Sequence, residues 1–347
     1  MSGLGEFDLI DALVARLDNA VGGPTAGDGL GIGDDAAAWR PTPGTAVVAT
    51  TDMLVESIHF RLDWTTPRDL GWKALAVNLS DLAAMGARPG RGLVSVGLIP
   101  SQVALVEELY AGMNELARQT GTLIVGGDTV RSPGPLIINV ALLGEADPDR
   151  LLRRSGARPG DVLVLTGPVG ASAAGLELLQ RGTAAQAKPG PAAAAPEAAT
   201  LARPEAAALL RAHHRPFPQL AAGATLAAHG VRCAIDVSDG VASEAWHVAR
   251  ASGVAIEIDV DRLPLAAEAV ALFGEERARD MALSGGEDYQ LLFAVPEARM
   301  EEVASALSGE CLPVAIGRVS AAHAGGDVAL LRRGLRIEPA SAGYTAF

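Results

Sequence analysis

Short apolar runs of β-prone residues alternate along this chain with segments of helical spacing, and that alternation restricts it to the α/β class. Leu9/Ile10, Leu13/Val14 and Leu17 predict a first helix over Phe7 to Leu17, followed by a turn-rich stretch from Gly22 to Asp35. Ala46 to Thr51 (AVVATT) predicts a buried strand ending at Asp52. A helix is expected from Thr66 to Met85, with Thr66 as cap, Pro67 at the first helical position, Asp69 in the first turn and Gly86 as the stop. Strand-like runs at Gly92 to Ile99, Leu123 to Val125 and Leu136 to Leu143 are interleaved with a helical segment at Val103 to Gln119.

The region Glu145 to Gly160 is charged and punctuated by proline and glycine, and a new strand, Asp161 to Leu165, follows it. A domain boundary is expected here, giving domains 1–146 and 147–347, each long enough to bury a core. The second domain is expected to add helices at Gln219 to His229 and Val241 to Ser252, with strands at Val231 to Val237, Ile256 to Val260 and Tyr289 to Val295. Thr183 to Ala202 is nearly all Ala, Pro, Gly and Gln, and reads as a surface loop or loose helical insertion.

Five segments join glycine or hydroxyl residues to aspartate: Gly31-Ile32-Gly33-Asp34-Asp35, Thr50-Thr51-Asp52, Asn78-Leu79-Ser80-Asp81, Gly126-Gly127-Asp128-Thr129 and Asp236-Val237-Ser238-Asp239-Gly240. Any one of them is equally well an ordinary turn. As a set they are more telling, because ligands of open α/β sheets collect at the carboxyl ends of strands, where Asp52, Asp128, Asp236 and Asp239 are expected. Carboxylates gathered there repel one another unless cations stand between them, and Mg2+ bridges carboxylate and phosphate oxygens. Asp81 and Asn78 share one face of a helix whose neighbours are mostly apolar, so this carboxylate needs a partner. The glycines at 31, 33, 126 and 127 would let backbone N–H groups approach phosphate oxygens.

The formal net charge of -13 excludes a basic nucleic-acid or anionic-membrane surface, and leaves metal ions to supply positive charge at a phosphate site. No G-x-x-x-x-G-K-[ST] sequence occurs, and neither Lys73 nor Lys188 lies in a glycine-rich loop; Arg154 is the available phosphate partner. Ser284-Gly285-Gly286-Glu287-Asp288-Tyr289 reads as a ligand loop in preference to the plain hairpin turn that is its alternative. By its own surroundings His59 is a structural histidine, His213-His214 look structural or exposed, and Cys233 and Cys311 are expected to be buried hydrophobes without a disulfide or zinc site. With no leader-like or membrane-length apolar run, the expected location is the cytoplasm.

GIGDDAA at Gly31, TTDMLVESIHF at Thr50, KALAVNLSDLAAMGA at Lys73, GGDT at Gly126, RRSGARPGD at Arg153, IDVSDG at Ile235 and SGGEDY at Ser284 together resemble the thiamine-monophosphate kinase family, in order and spacing, across nearly the whole chain. The resemblance implies two α/β domains: an N-terminal mixed sheet that pairs with a second subunit into a dimer barrel with helices outside, and a C-terminal α/β sandwich. It implies ATP in a cleft near the dimer interface and transfer of its γ-phosphoryl to thiamine monophosphate, giving thiamine diphosphate. The magnesium ligands it implies are Asp35, Thr50, Thr51, Asp52, Asp81, Asp128, Asp236 and Asp239. ATP contacts fall to Tyr110, Gly127, Asp128, Arg154 and Ser238, and the substrate side to His59, Glu287 and Tyr344, with no general base. Ala346 stands where family tails often carry histidine. Rival members of the superfamily would carry a reactive N-terminal cysteine or a terminal cysteine, and this chain has neither; a non-catalytic nucleotide-binding regulator would be expected to have lost some of the aspartates.

Overall fold

A computed structural model describes residues 30–32, 35–186, 199–322 and 327–337. The expected helix at Phe7 to Leu17, Gly33-Asp34, the centre of the Ala/Pro-rich stretch, Tyr344 and Ala346 lie outside the described residues. The chain divides into two compact units, Met1–Leu82 with Ala87–Pro148, and Ala83–Gly86 with Asp149–Phe347.

The first unit carries a four-stranded mixed sheet of β1 (Ala46–Val55), β2 (Arg88–Leu98), β3 (Leu123–Arg131) and β4 (Ile137–Ala146), in the order β1-β4-β2-β3. β4 pairs antiparallel with both β1 and β2, and β2 pairs parallel with β3. Helices α1 (Pro67–Ala84) and α2 (Val103–Thr120) supply the crossovers. α1 starts as its sequence predicts: the Asp69 N–H donates to Thr66 Oγ1 at 3.1 Å, Pro67 occupies the first position, and Gly86 takes a left-handed φ of 68° just beyond the end. Its residues from Leu70 to Ser80 are all buried, so this is a helix covered on every side, not an amphipathic surface helix. Small residues bring α1 and α2 close. A Cβ on Gly71 would lie 1.8 Å from the Leu109 carbonyl oxygen, and one on Gly112 would lie 1.8 Å from that of Arg68.

Strand alternation then sorts the sheet residues. Ile138, Val140 and Leu142 of β4 are 1% exposed or less, while on the other face Val47 and Met53 of β1 are more than half exposed, as is Val130 of β3. Several strands differ in extent from the sequence reading: β2 begins at Arg88 and β4 runs on to Ala146, and two of the differences move site residues. β1 runs on through Asp52 to Val55 and β3 through Asp128 to Arg131, so both aspartates lie inside strands and not just after them; only Asp236 ends its strand. Asp52 interrupts the apolar residues of β1, and Gly126-Gly127-Asp128-Thr129 stand in β3 where apolar residues would mark a strand, which hid the length of both.

Gly126-Gly127 follow a bulge in β3. Gly92 of β2 pairs with Ile124 and Leu93 with Gly126, leaving Val125 as the extra residue. Beyond it the strands come so close that a Cβ on Gly127 would stand 1.9 Å from the Val94 carbonyl oxygen. Strand spacing is therefore sufficient reason for this glycine.

Among the described residues the second unit carries seven strands in the order β11-β10-β7-β9-β5-β8-β6. They are β5 (Asp161–Leu165), β6 (Cys233–Asp236), β7 (Val254–Asp259), β8 (Leu291–Pro296), β9 (Val314–Ala321), β10 (Val328–Arg332) and β11 (Leu335–Ile337), with only β7/β10 parallel. The helices are α3 (Ala171–Gln186), α4 (Pro204–His214), α5 (Leu220–Ala228), α6 (Val241–Ser252), α7 (Ala267–Phe273), α8 (Glu275–Ser284) and α9 (Met300–Leu307). β8 shows why its sequence, LLFAV, is apolar throughout. Leu292 and Ala294 join a core with α6, whereas Leu291, Phe293 and Val295 join a second core with α5 and α9 on the opposite face. Cys233 is fully buried in the first of these cores, but Cys311 is only partly buried beside the second, contrary to expectation, since it follows the end of α9.

Replacing Gly127 with alanine is expected to lower stability by about 1–3 kcal/mol, because the obstructing atom is backbone and β2 itself must shift. Urea denaturation measures this, and an unchanged midpoint would mean the strands are not this close.

Candidate functional site

In the first unit the site residues are set by β1 facing α1. Alternate residues of β1 point toward the helix, so Thr50 and Asp52 meet Asn78 and Asp81, which lie three residues apart on one face of α1. The Thr50 hydroxyl donates to Asp81 Oδ2. The Asp52 backbone N–H donates to Asn78 Oδ1 at 3.1 Å, and the fully buried Asn78 donates in turn to the Ala74 carbonyl at 3.1 Å. Burial, and secondarily the charge of Asp81, push the Asp52 carboxyl up to about 6.

Thr51 points the other way, with its hydroxyl donating to Asn139 Oδ1 at 3.2 Å on the exposed face. Thr50 and Thr51 are therefore on opposite faces of β1. Asp128 lies exposed on β3, the outer strand at the other edge. With β4 and β2 in between, Asp52 and Asp128 are about 14 Å apart across the sheet at ordinary strand spacing, so one ion cannot take both from a single chain. Asp35 is exposed, and Tyr110 is buried in α2, where desolvation raises its phenol pKa. His59 sits exposed in the turn after β1, and its Nδ1 accepts the Val55 N–H at 3.1 Å, which leaves the proton on Nε2.

The second unit brings together two motifs that lie about fifty residues apart in the chain. β6 ends at the buried Asp236; the loop Val237–Gly240 follows and α6 begins. The Ser284–Tyr289 loop binds along it through the backbone: the Glu287 N–H donates to the Ser238 carbonyl at 2.8 Å and the Tyr289 N–H to that of Val237 at 2.9 Å. Contact is close enough that a Cβ on Gly286 would lie 2.1 Å from the Ser238 oxygen. Glu287 and Tyr289 both adopt left-handed φ values, 67° and 50°, which non-glycine residues keep only when their surroundings hold them.

Three residues to which the sequence assigned no individual role in the site complete this region. Glu244, 2% exposed in the first turn of α6, accepts the Asp239 N–H at 3.0 Å and the Ser238 hydroxyl at 3.3 Å. Its carboxyl is pushed up to about 7, first by burial and then by the charges of Asp236 and Asp239. Asp288 accepts the N–H groups of Gly170 and Ser172 at the start of α3, at 2.6 and 3.1 Å, and burial raises it to about 7. His213, expected to be structural or exposed, is buried with Nδ1 facing Ser172 and Glu287. An acid in the first turn of the helix after S-D-G was the available sequence signal for Glu244, and Asp288 lay within the S-G-G-E-D-Y loop; nothing local marked His213. Asp239 is raised mainly by burial, and the positive charge of the exposed Arg154 acts against this. Among the described residues no group of three His, Cys, Asp or Glu side chains stands at metal-binding geometry.

Residues 33–146 match the AIR synthase related protein N-terminal domain, and residues 158–328 the corresponding C-terminal domain. The thiamine-monophosphate kinase of Bacillus subtilis (strain 168) is 35% identical over 313 residues, 90% of each chain. The chain belongs to the thiamine-monophosphate kinase family. The crystal structure of the family member from Stenotrophomonas maltophilia K279a superimposes with a TM-score of 0.79 at 34% identity, covering 96% of this chain and 98% of that one. A structure described as AaThiL complexed with AMPPCP and TMP, at 31% identity and a TM-score of 0.72, covers 100% and 99%. The family's two-domain α/β architecture with mixed sheets is thus the one found here. No helix among the described residues is long and apolar enough to cross a membrane.

In metal-free buffer, Asp52 is expected to make stability fall as pH rises from about 4 to about 6. Its folded pKa lies above the unfolded value, so the native state binds more protons across that window and the contribution present at lower pH is lost. The shift corresponds to at most about 3 kcal/mol. Thermal melts of wild type and Asp52→Asn across pH 4–8 isolate it: the wild type should lose more stability than the variant, and parallel curves would contradict the assignment.

Proposed function

We propose that this chain transfers the γ-phosphoryl group of ATP to the phosphate of thiamine monophosphate, forming thiamine diphosphate and ADP. The observation that carries this reading is similarity over the whole chain to AaThiL complexed with AMPPCP and TMP, joined to the aspartate set present here. In the transfer, an oxygen of the acceptor phosphate forms the new P–O bond as the bond from the γ-phosphorus to the β-bridging oxygen breaks and ADP departs. The acceptor is anionic near neutral pH, so no side chain has to remove a proton and positioning dominates.

The residues fit Mg2+. Two facing carboxylates and a hydroxyl in the first unit, Asp52, Asp81 and Thr50, and Asp236 with Asp239 in the second, are each the partial donor sets that the ion takes when phosphate oxygens and water complete its shell. Asp35, Thr51 and Asp128 complete the proposed set. Bound there, Mg2+ would offset the charge of the triphosphate against these carboxylates. Arg154, Ser238, Gly127 and Tyr110 are assigned to ATP, and His59, Glu287 and Tyr344 to thiamine monophosphate. Glu244 holds the Ser238-Asp239 turn, and Asn78 fixes the backbone at Asp52.

A homodimer formed through the first unit's sheet is the proposed assembly. Val47, Met53 and Val130 leave apolar surface on its open face, and among the described residues β1 and β3 each have one paired edge only. The cytoplasm is the proposed location.

Incubating the purified chain with Mg-ATP and thiamine monophosphate should yield thiamine diphosphate on chromatography, and turnover of a different phosphate monoester instead would replace the proposed acceptor. Asp52→Asn should reduce kcat by on the order of a hundredfold or more while the chain still unfolds cooperatively, the scale of losing one preorganised charge-stabilising group. Wild-type rates in that variant would remove Asp52 from the site.

A further inference from the structure

We propose that His213 is a positioning residue that holds the Glu287 carboxylate in place for the acceptor substrate, an inference that rests on the phosphotransferase reading above. His213 occupies the last turn of α4, 7% exposed, and its Nδ1 lies 3.4 Å from Glu287 Oε2 and 3.0 Å from Ser172 Oγ. Ser172, 1% exposed, sits in the first turn of α3, and its N–H donates to Asp288. Neighbouring residues of one loop are thus held side by side, Asp288 by the Gly170 and Ser172 amides at the start of α3 and Glu287 by the His213 imidazole from the end of α4, with Ser172 Oγ beside the same Nδ1.

The arrangement constrains Glu287 while its side chain stays partly exposed. Its backbone is held left-handed by the Ser238 carbonyl, and its side chain remains 29% exposed at the loop that carries Ser238 and Asp239. A glutamate on such a loop would ordinarily lose rotamer freedom when it engages a ligand; one already held by a buried imidazole has lost it on folding. Thiamine carries a fixed positive charge on its thiazolium ring, so a carboxylate held in one orientation suits that acceptor and has no corresponding use toward ATP, which is anionic.

The experiment measures KM for thiamine monophosphate and for ATP in wild type, His213→Ala, Glu287→Gln and the double variant, with thermal melts of each. His213→Ala should raise KM for thiamine monophosphate about tenfold, the scale of losing a polar contact to a charged group, with KM for ATP unchanged. In the Glu287→Gln background the same substitution should add nothing, because its effect passes through that carboxylate. Should the alanine variant not fold, His213→Asn, which keeps an N–H near Nδ1, should remain close to wild type while His213→Gln, which places its amide near Nε2, should show the raised KM. Equal losses in both Glu287 backgrounds, a matching rise in KM for ATP, or Gln outperforming Asn would each overturn the proposal. Absence of thiamine diphosphate from the wild-type reaction would overturn the functional reading itself, whereas normal turnover with an unmoved KM in the His213 variants would overturn only the positioning role.

Discussion

Carboxylates held near one another and away from water are the constraint around which both units are built. Asp52 faces Asp81 across a strand–helix contact, and Asp236, Asp239 and Glu244 cluster at the end of a strand. Each would be more comfortable exposed, and burial raises Asp52, Asp239, Glu244 and Asp288 above the ordinary carboxylate range. A fold tolerates this when rigid surroundings leave the side chains no alternative and when a cation or proton can offset the charge. The surroundings here are rigid. α1 is buried around its whole circumference and glycines let it approach α2 at backbone contact, while the second unit's sheet has a hydrophobic core on each face.

Hydrogen bonds to the backbone do the fine placement. Asn78 takes the amide of Asp52, Glu244 that of Asp239, and the Ser284–Tyr289 loop is fastened to Val237 and Ser238, just past the end of β6, by two amides of its own. In each case a polar group satisfies a main-chain donor beside a residue proposed for the reaction, so positional accuracy and polar satisfaction are met by the same contacts. The left-handed backbone at Glu287 and Tyr289 is the local cost of that accuracy.

Much of this was legible in the chain itself. The caps and stop of α1, the alternation of strands and helices, and the runs that became β5 and β8 follow from local chemistry: a hydroxyl before proline, a glycine after the last turn, apolar residues without interruption where both sheet faces are covered. The continuation of β1 past Asp52 and of β3 past Val125 was not legible, since an aspartate and a pair of glycines read locally as turn residues. Nor was the reason for Gly127. In sequence it resembles a phosphate-binding glycine, and the approach of Val94 across a bulged pair gives it a second necessity.

By itself the sequence determined the α/β class, the thiamine-monophosphate kinase family and the identities of the aspartates, because these depend on local propensity and on motifs whose order along the chain is preserved. Only the tertiary structure decided which of those residues are neighbours. It placed Thr50 against Asp81 and turned Thr51 to the opposite face, set Asp128 at the far edge from Asp52, and brought His213 to Glu287 across more than seventy residues. The physical reason is that pairing of faces and edges is fixed by strand order, register and the packing of helices onto the sheet, quantities that arise between segments and are written in none of them singly.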